Sequence, residues 1–112
     1  MSGREEFERE RERLNALVFQ EANLPINRFF ALDSQAYEDG ALPRKTKELV
    51  GLVASLVLRC DDCTSYHIIQ AKDLGVTKEE VVEALGVGLV VGGSIVIPHL
   101  RRAFLLVSEL WG

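Results

Sequence analysis

The chain has 112 residues, 47% of them hydrophobic and 27% charged, with a formal net charge of −4. That length suits one domain, residues 1–112, which buries roughly two thirds of its unfolded surface without a disulfide framework; the acidic balance argues against a phosphate-neutralising face and so against nucleic acid. The charged stretch Arg4 to Arg13 has no apolar signal core, so a reducing cytoplasm is the expected location, and the high apolar content predicts buried contacts between subunits.

In chain order, residues 1–21 read as an amphipathic N-terminal helix. Phe7, Leu14, Leu17 and Val18 form its apolar seam, and Glu5/Arg9, Glu8/Arg11 and Glu10/Arg13 form its wet side, a solvated surface rather than a binding arm. A second helix is expected from near Pro25. It carries Phe29, Phe30, Leu32 and Tyr37, a face that reads as core or pocket wall, with core the better reading, before a turn at Asp39-Gly40.

Pro43 marks the next start. From Leu49 to Leu58 the run is apolar on every side, which predicts a helix buried all round, with the small residues Gly51, Ala54 and Ser55 allowing close approach of neighbours. A helix from about Asp62 to Leu74 should stop at Gly75. Thr77 and Glu80 form a capping box that opens a helix to about Val91. Gly92-Gly93-Ser94 breaks the chain, and a last helix toward Trp111 accommodates Pro98 only in its first turn. The stretch Val87 to Ile97 is too short for a bilayer span. The expected architecture is all-α, with five or six helices joined by short loops.

The chemistry concentrates at Cys60-Asp61-Asp62-Cys63-Thr64-Ser65-Tyr66-His67, which holds the only cysteines of the chain. Two thiols at this spacing can close a disulfide across a first helical turn. Cys63 and His67, at i and i+4, share a face, so the imidazole can take the thiol proton, and the helix N-terminus in front of Cys63 favours thiolate. Asp61 and Asp62 oppose it. Dithiol redox chemistry is therefore preferred to two alternatives, inert buried thiols and a metal site of Cys60, Cys63, His67 and a carboxylate, which lacks the second ligand pair usual for zinc. His99 and Arg102 on the last helix read as polar surface, although His99 could face the site and Arg102 could hold a substrate carboxylate.

The segment from Asp39 to about Phe104 resembles the carboxymuconolactone decarboxylase superfamily, and within it the alkyl hydroperoxidase D-like (AhpD-like) branch. The pattern that carries this is Asp39-Gly40-Ala41-Leu42-Pro43, Lys47-Glu48-Leu49, Cys60-x-x-Cys63-x-x-x-His67, Ala71, Gly75, Glu79-Glu80-Val81-x-Glu83-Ala84 and Gly92-Gly93. The resemblance implies an AhpD-like helical bundle and a peroxidase-like cycle at Glu48, Cys60, Cys63 and His67, with Glu48 and His67 relaying the thiol proton. It implies a hydroperoxide substrate, a dithiol or protein reductant, no cofactor, and a homo-oligomer, trimer or hexamer. Well-studied peroxidases of the branch duplicate the domain and have a histidine where Asp62 stands here. The decarboxylase branch, the alternative enzymatic class, typically lacks the cysteine pair. Cys63 is expected to be the activated thiol and Cys60 its disulfide partner, although thioredoxin-type motifs use the opposite order.

Overall fold

The computed structural model describes residues 3–112, and local signals account for the helix boundaries. Helix α1, Gly3–Glu21, is followed by α2, Leu24–Ala36, which the Asn23 side chain caps by accepting from the Ile26 N–H at 3.2 Å. Pro43 precedes α3, Arg44–Val57. Helix α4, Asp61–Asp73, begins at Cys60 and is followed by Gly75 in the left-handed region (φ 82°). Thr77 and Glu80 close a reciprocal capping box on α5, Lys78–Gly92. A 3-10 turn, Ser94–Val96, leads to α6, Ile97–Trp111, with Pro98 in its first turn. The fold is all-α, as the resemblance implied, and among the described residues no helix is long and apolar enough to cross a membrane.

The core belongs to α3–α6 and the turns between them. Leu52, Leu56, Ile68, Val81, Leu85, Val96 and Val107 are fully shielded, and α3 packs on both α4 and α5 while α6 closes over α4. Helix α3 is not buried all round. Its inward face is Glu48, Leu52, Ser55 and Leu56, whereas Val50 and Leu58 remain 57% and 77% exposed. Only two neighbours, α4 and α5, pack closely on it, so one apolar face is left outward. Val87, Val90 and Val91 of α5 are exposed as well.

Helices α1 and α2 contain no buried residue. The core reading of the α2 face is therefore corrected: Phe29 is 68% and Leu32 61% exposed, because among the described residues no other helix packs closely along α2. Phe30 meets Phe19 of α1 edge-on at 4.7 Å between ring centres, and Tyr37 points to the candidate site. Helix α1 is also tied down more than a solvated helix would be. Glu109 of α6 accepts from the Gly3 and Arg4 N–H groups at 2.7 and 3.0 Å, and Arg4 pairs with Asp73 of α4 at 2.7 Å. Glu8 takes Arg4 rather than Arg11 as its partner, at 2.6 Å.

Candidate active site

The α3–α4 turn places the cysteines. Arg59 adopts a left-handed backbone (φ 61°), the one non-glycine among the described residues to do so, and turns the chain sharply after α3. The Cys60 N–H then donates to the Ser55 carbonyl at 3.0 Å, and Cys60 becomes the N-cap of α4. Cys60 and Cys63 are joined as a disulfide with Cα atoms 5.3 Å apart. The Cys63 N–H donates to Cys60 Sγ at 3.2 Å. The first-turn N–H thus reaches Cys60, whereas Cys63 lines a cavity together with His67.

One turn further along α4, His67 is folded against α3. Its Nδ1–H donates to Glu48 Oε1 at 2.7 Å, with Glu48 1% and His67 7% exposed. Twelve residues before the first cysteine, Glu48 finds the partner its burial requires, and Arg44 Nε lies 3.7 Å from its other oxygen. The opposite ring nitrogen, Nε2, lies 3.4 Å from Tyr37 Oη at the C-terminal end of α2. Gly51 of α3 makes room for that contact. A Cβ there would fall 2.6 Å from Tyr37 Oη and 2.7 to 2.8 Å from His67 Cε1 and Nε2. Burial, reinforced by the charges of Glu48 and Asp33, pushes the Tyr37 phenol above its ordinary value and keeps it protonated.

The cavity over Cys63, about 180 Å³, is lined by Arg11, Asp33, Asp62, Cys63, Tyr66 and His67. Arg11 reaches it from α1 by stacking on the Tyr66 ring, 4.0 Å from the ring centre, and Tyr66 meets the His67 ring edge-on at 5.3 Å. On the Cys60 side, His99 and Arg102 of α6 are not free surface. His99 Nδ1 and Arg102 Nη1 donate to the two oxygens of Asp61 at 2.8 and 2.7 Å. Partial burial pushes the Asp61 carboxyl up, but these hydrogen bonds and the Arg102 charge outweigh it and hold the group below its ordinary value. Asp61 therefore opposes a neighbouring thiolate less than a bare carboxylate would. The structure brings Glu48, Cys60, Cys63 and His67 together, and adds Tyr37, Gly51 and the Asp61 cluster, to which spacing alone does not lead. The one signal for Gly51 was a glycine inside an apolar helix, a mark of close approach.

The comparisons with known proteins agree with this architecture. The model of the carboxymuconolactone decarboxylase family matches residues 26–105. The uncharacterized protein 4 of the cox locus of Paracoccus denitrificans is 30% identical over 84 residues, 75% of this chain and 76% of that protein. A carboxymuconolactone decarboxylase family protein from Thermotoga maritima, for which an involvement in antioxidative response has been suggested, is 54% identical with a TM-score of 0.89, over 94% of this chain and 89% of that one. A family member from Legionella pneumophila, solved in its apo form, is 26% identical with a TM-score of 0.86, over 96% of both chains. With most of its length inside the family model and this bundle in common, the chain belongs to the carboxymuconolactone decarboxylase family.

Proposed function

We propose that the protein is a thiol-dependent oxidoreductase that reduces hydroperoxides in an antioxidant role, working in a reducing compartment. The observation that carries this reading is the Cys60–Cys63 disulfide on the first turn of α4, with the buried Glu48–His67 pair one turn further along. In the reduced protein His67 takes the Cys63 proton, and Glu48 holds the ring in the tautomer that can accept it. The thiolate attacks the terminal oxygen of the hydroperoxide: an S–O bond forms, the O–O bond breaks, and the leaving alkoxide takes the proton from the imidazolium. The Cys60 thiol then attacks the sulfenic sulfur, forming the disulfide and releasing water. A dithiol or protein reductant returns two electrons and two protons. The antioxidative response suggested for the Thermotoga maritima relative supports the same direction.

Mixing the reduced protein with cumene hydroperoxide and dithiothreitol tests the cycle. Both free thiols should disappear in the first turnover, peroxide consumption should continue while dithiothreitol lasts, and Cys60→Ser or Cys63→Ser should each abolish it. Stoichiometric zinc with both thiols masked and no reducible disulfide would replace this reading with a metal-binding module. Among the described residues, no group of three or more His, Cys, Asp or Glu side chains is placed to hold an ion.

The exposed apolar groove along α3 and α5, about 610 Å³ and lined by Leu49, Val50, Val53, Val57, Val87 and Val91 among others, is assigned to further copies of this chain in a closed trimer or hexamer. Its lining is almost pure hydrocarbon, which suits a permanent interface between copies. Sedimentation reading a monomer at micromolar concentration overturns this assignment.

A further inference from the structure

We propose that Tyr37 is a positioning residue of the redox centre, whose hydroxyl supports the outer nitrogen of His67 while that atom takes and releases the Cys63 proton. The inference rests on the thiol chemistry proposed above, and on geometry that the cysteine motif does not contain.

Nδ1 of His67 is committed to Glu48 at 2.7 Å, so Nε2 is the one ring atom left for a thiol proton, and Tyr37 Oη already lies 3.4 Å from it. A phenol is both donor and acceptor. At rest it donates to the single lone pair of the neutral Nε2 and must rotate away to free that lone pair for the thiol proton; toward the imidazolium its oxygen accepts from Nε2–H. The second bond involves a charged donor and is the stronger of the two, so Tyr37 favours the protonated ring and hence the Cys63 thiolate. Because the phenol itself stays protonated, it supports the transfer without ionising.

Two further observations support a kept space rather than an accidental contact. Gly51 faces the meeting point of the two side chains, where any Cβ would collide with both. Tyr37 and Gly51 also line a second cavity of about 340 Å³, walled by Ala36, Leu42, Val50 and Ala54 and by Lys47, and Cys63 takes no part in it. His67 therefore lies between the peroxide side, at Cys63, and a separate opening through which a proton can reach solvent by way of the Tyr37 hydroxyl. The charged and titratable groups facing the imidazole or its cavities are, besides Tyr37, Glu48, Arg44 and Lys47 of α3, Arg11 of α1, Asp33 of α2, and Asp62 and Tyr66 of α4. Tyr37→Phe leaves all of them in place and removes one oxygen.

The test is the pH dependence of Cys63 alkylation by iodoacetamide in the full-length Cys60→Ser background, with and without Tyr37→Phe. The expected result is an apparent thiol pKa raised by up to about one unit, with alkylation at pH 7 slowed roughly three- to tenfold. The rate above the thiol pKa should stay unchanged, because full deprotonation bypasses the imidazole. A loss of packing alone would alter the plateau as well. Superimposable profiles overturn the inference, and so does a change confined to the plateau. The alkylation readout needs no peroxide, so an inactive peroxidase with a shifted profile would sink the proposed function and leave this assignment standing. An active peroxidase with an unshifted profile would do the reverse.

Discussion

Helices α3–α6 and the α1–α2 hairpin are built on opposite terms. The four-helix body contains every buried apolar side chain of the described residues, whereas the hairpin contains none and leaves Leu14, Leu17, Phe29 and Leu32 open. The radius of gyration, 14.6 Å, exceeds the about 13 Å expected of a chain this long, in keeping with two N-terminal helices that stay outside the core. Yet the hairpin supplies Arg11, Asp33 and Tyr37 to the surroundings of His67 and Cys63. The body holds Glu48, His67 and the two cysteines, and the more weakly anchored element brings side chains to them from outside the core.

The largest effect that can break this contrast is on stability. Leu56→Ala, at a site with no exposure, should cost about 3–5 kcal/mol in urea unfolding, against under about 1 kcal/mol for Leu17→Ala on the hairpin. If Leu17→Ala costs as much at high protein concentration, the hairpin is covered by further copies, and the gap should reopen on dilution. Gly51→Ala acts where the two regions meet. Its methyl group must displace Tyr37 or the His67 ring, so about 1–3 kcal/mol of stability should go, together with at least tenfold of Cys63 reactivity at neutral pH. Unchanged alkylation in that variant would show that the hairpin does not reach the chemistry.

Asp61→Asn should have the smallest effect. The Asp61 carboxyl is held below its ordinary value in the folded state, so its pairing with His99 and Arg102 contributes stability above about pH 4 and loses it as pH falls through the lowered folded value. The group is 41% exposed, so solvent screening limits the contribution to under about 1 kcal/mol. Unfolding curves from pH 7 to pH 2 should show wild type losing that margin and the variant keeping a flatter profile. A parallel decline of both proteins would remove Asp61 from the account.

Signals complete within a few residues were legible without the structure: the Thr77–Glu80 box, Gly75 after α4 and Pro98 at the start of α6 each depend on backbone chemistry spanning about one turn. The resemblance put Glu48 and His67 in one proton relay, whereas the cost of burying a lone carboxylate called only for some partner of Glu48. Tyr37 was legible only as core or pocket wall and His99 only as a residue that could face the site, while the contacts of Tyr37, of Arg11 and of the Asp61–His99–Arg102 cluster were not legible. They join helices 30 or more residues apart through side chains that are ordinary on any surface, and neither helical periodicity nor cysteine spacing encodes such a contact. The apolar run of α3 misled for a related reason. Hydropathy reports what a face avoids, and it does not say whether the same chain or another copy covers it.

The disulfide bridges cysteines separated in sequence by only three positions. Closing so short a loop removes little freedom from the unfolded chain, about 2 kcal/mol on the chain-entropy model against about 4.7 for a hundred-residue loop. The thermodynamic cycle linking folding to oxidation makes that figure reciprocal: whatever the bond adds to folding, folding adds to the bond. For a two-electron couple this is a bias of about 40 mV. If the bond cycles as proposed, each opening costs the fold about 2 kcal/mol, roughly a thirtyfold shift of its folding equilibrium that the apolar core of the body must carry.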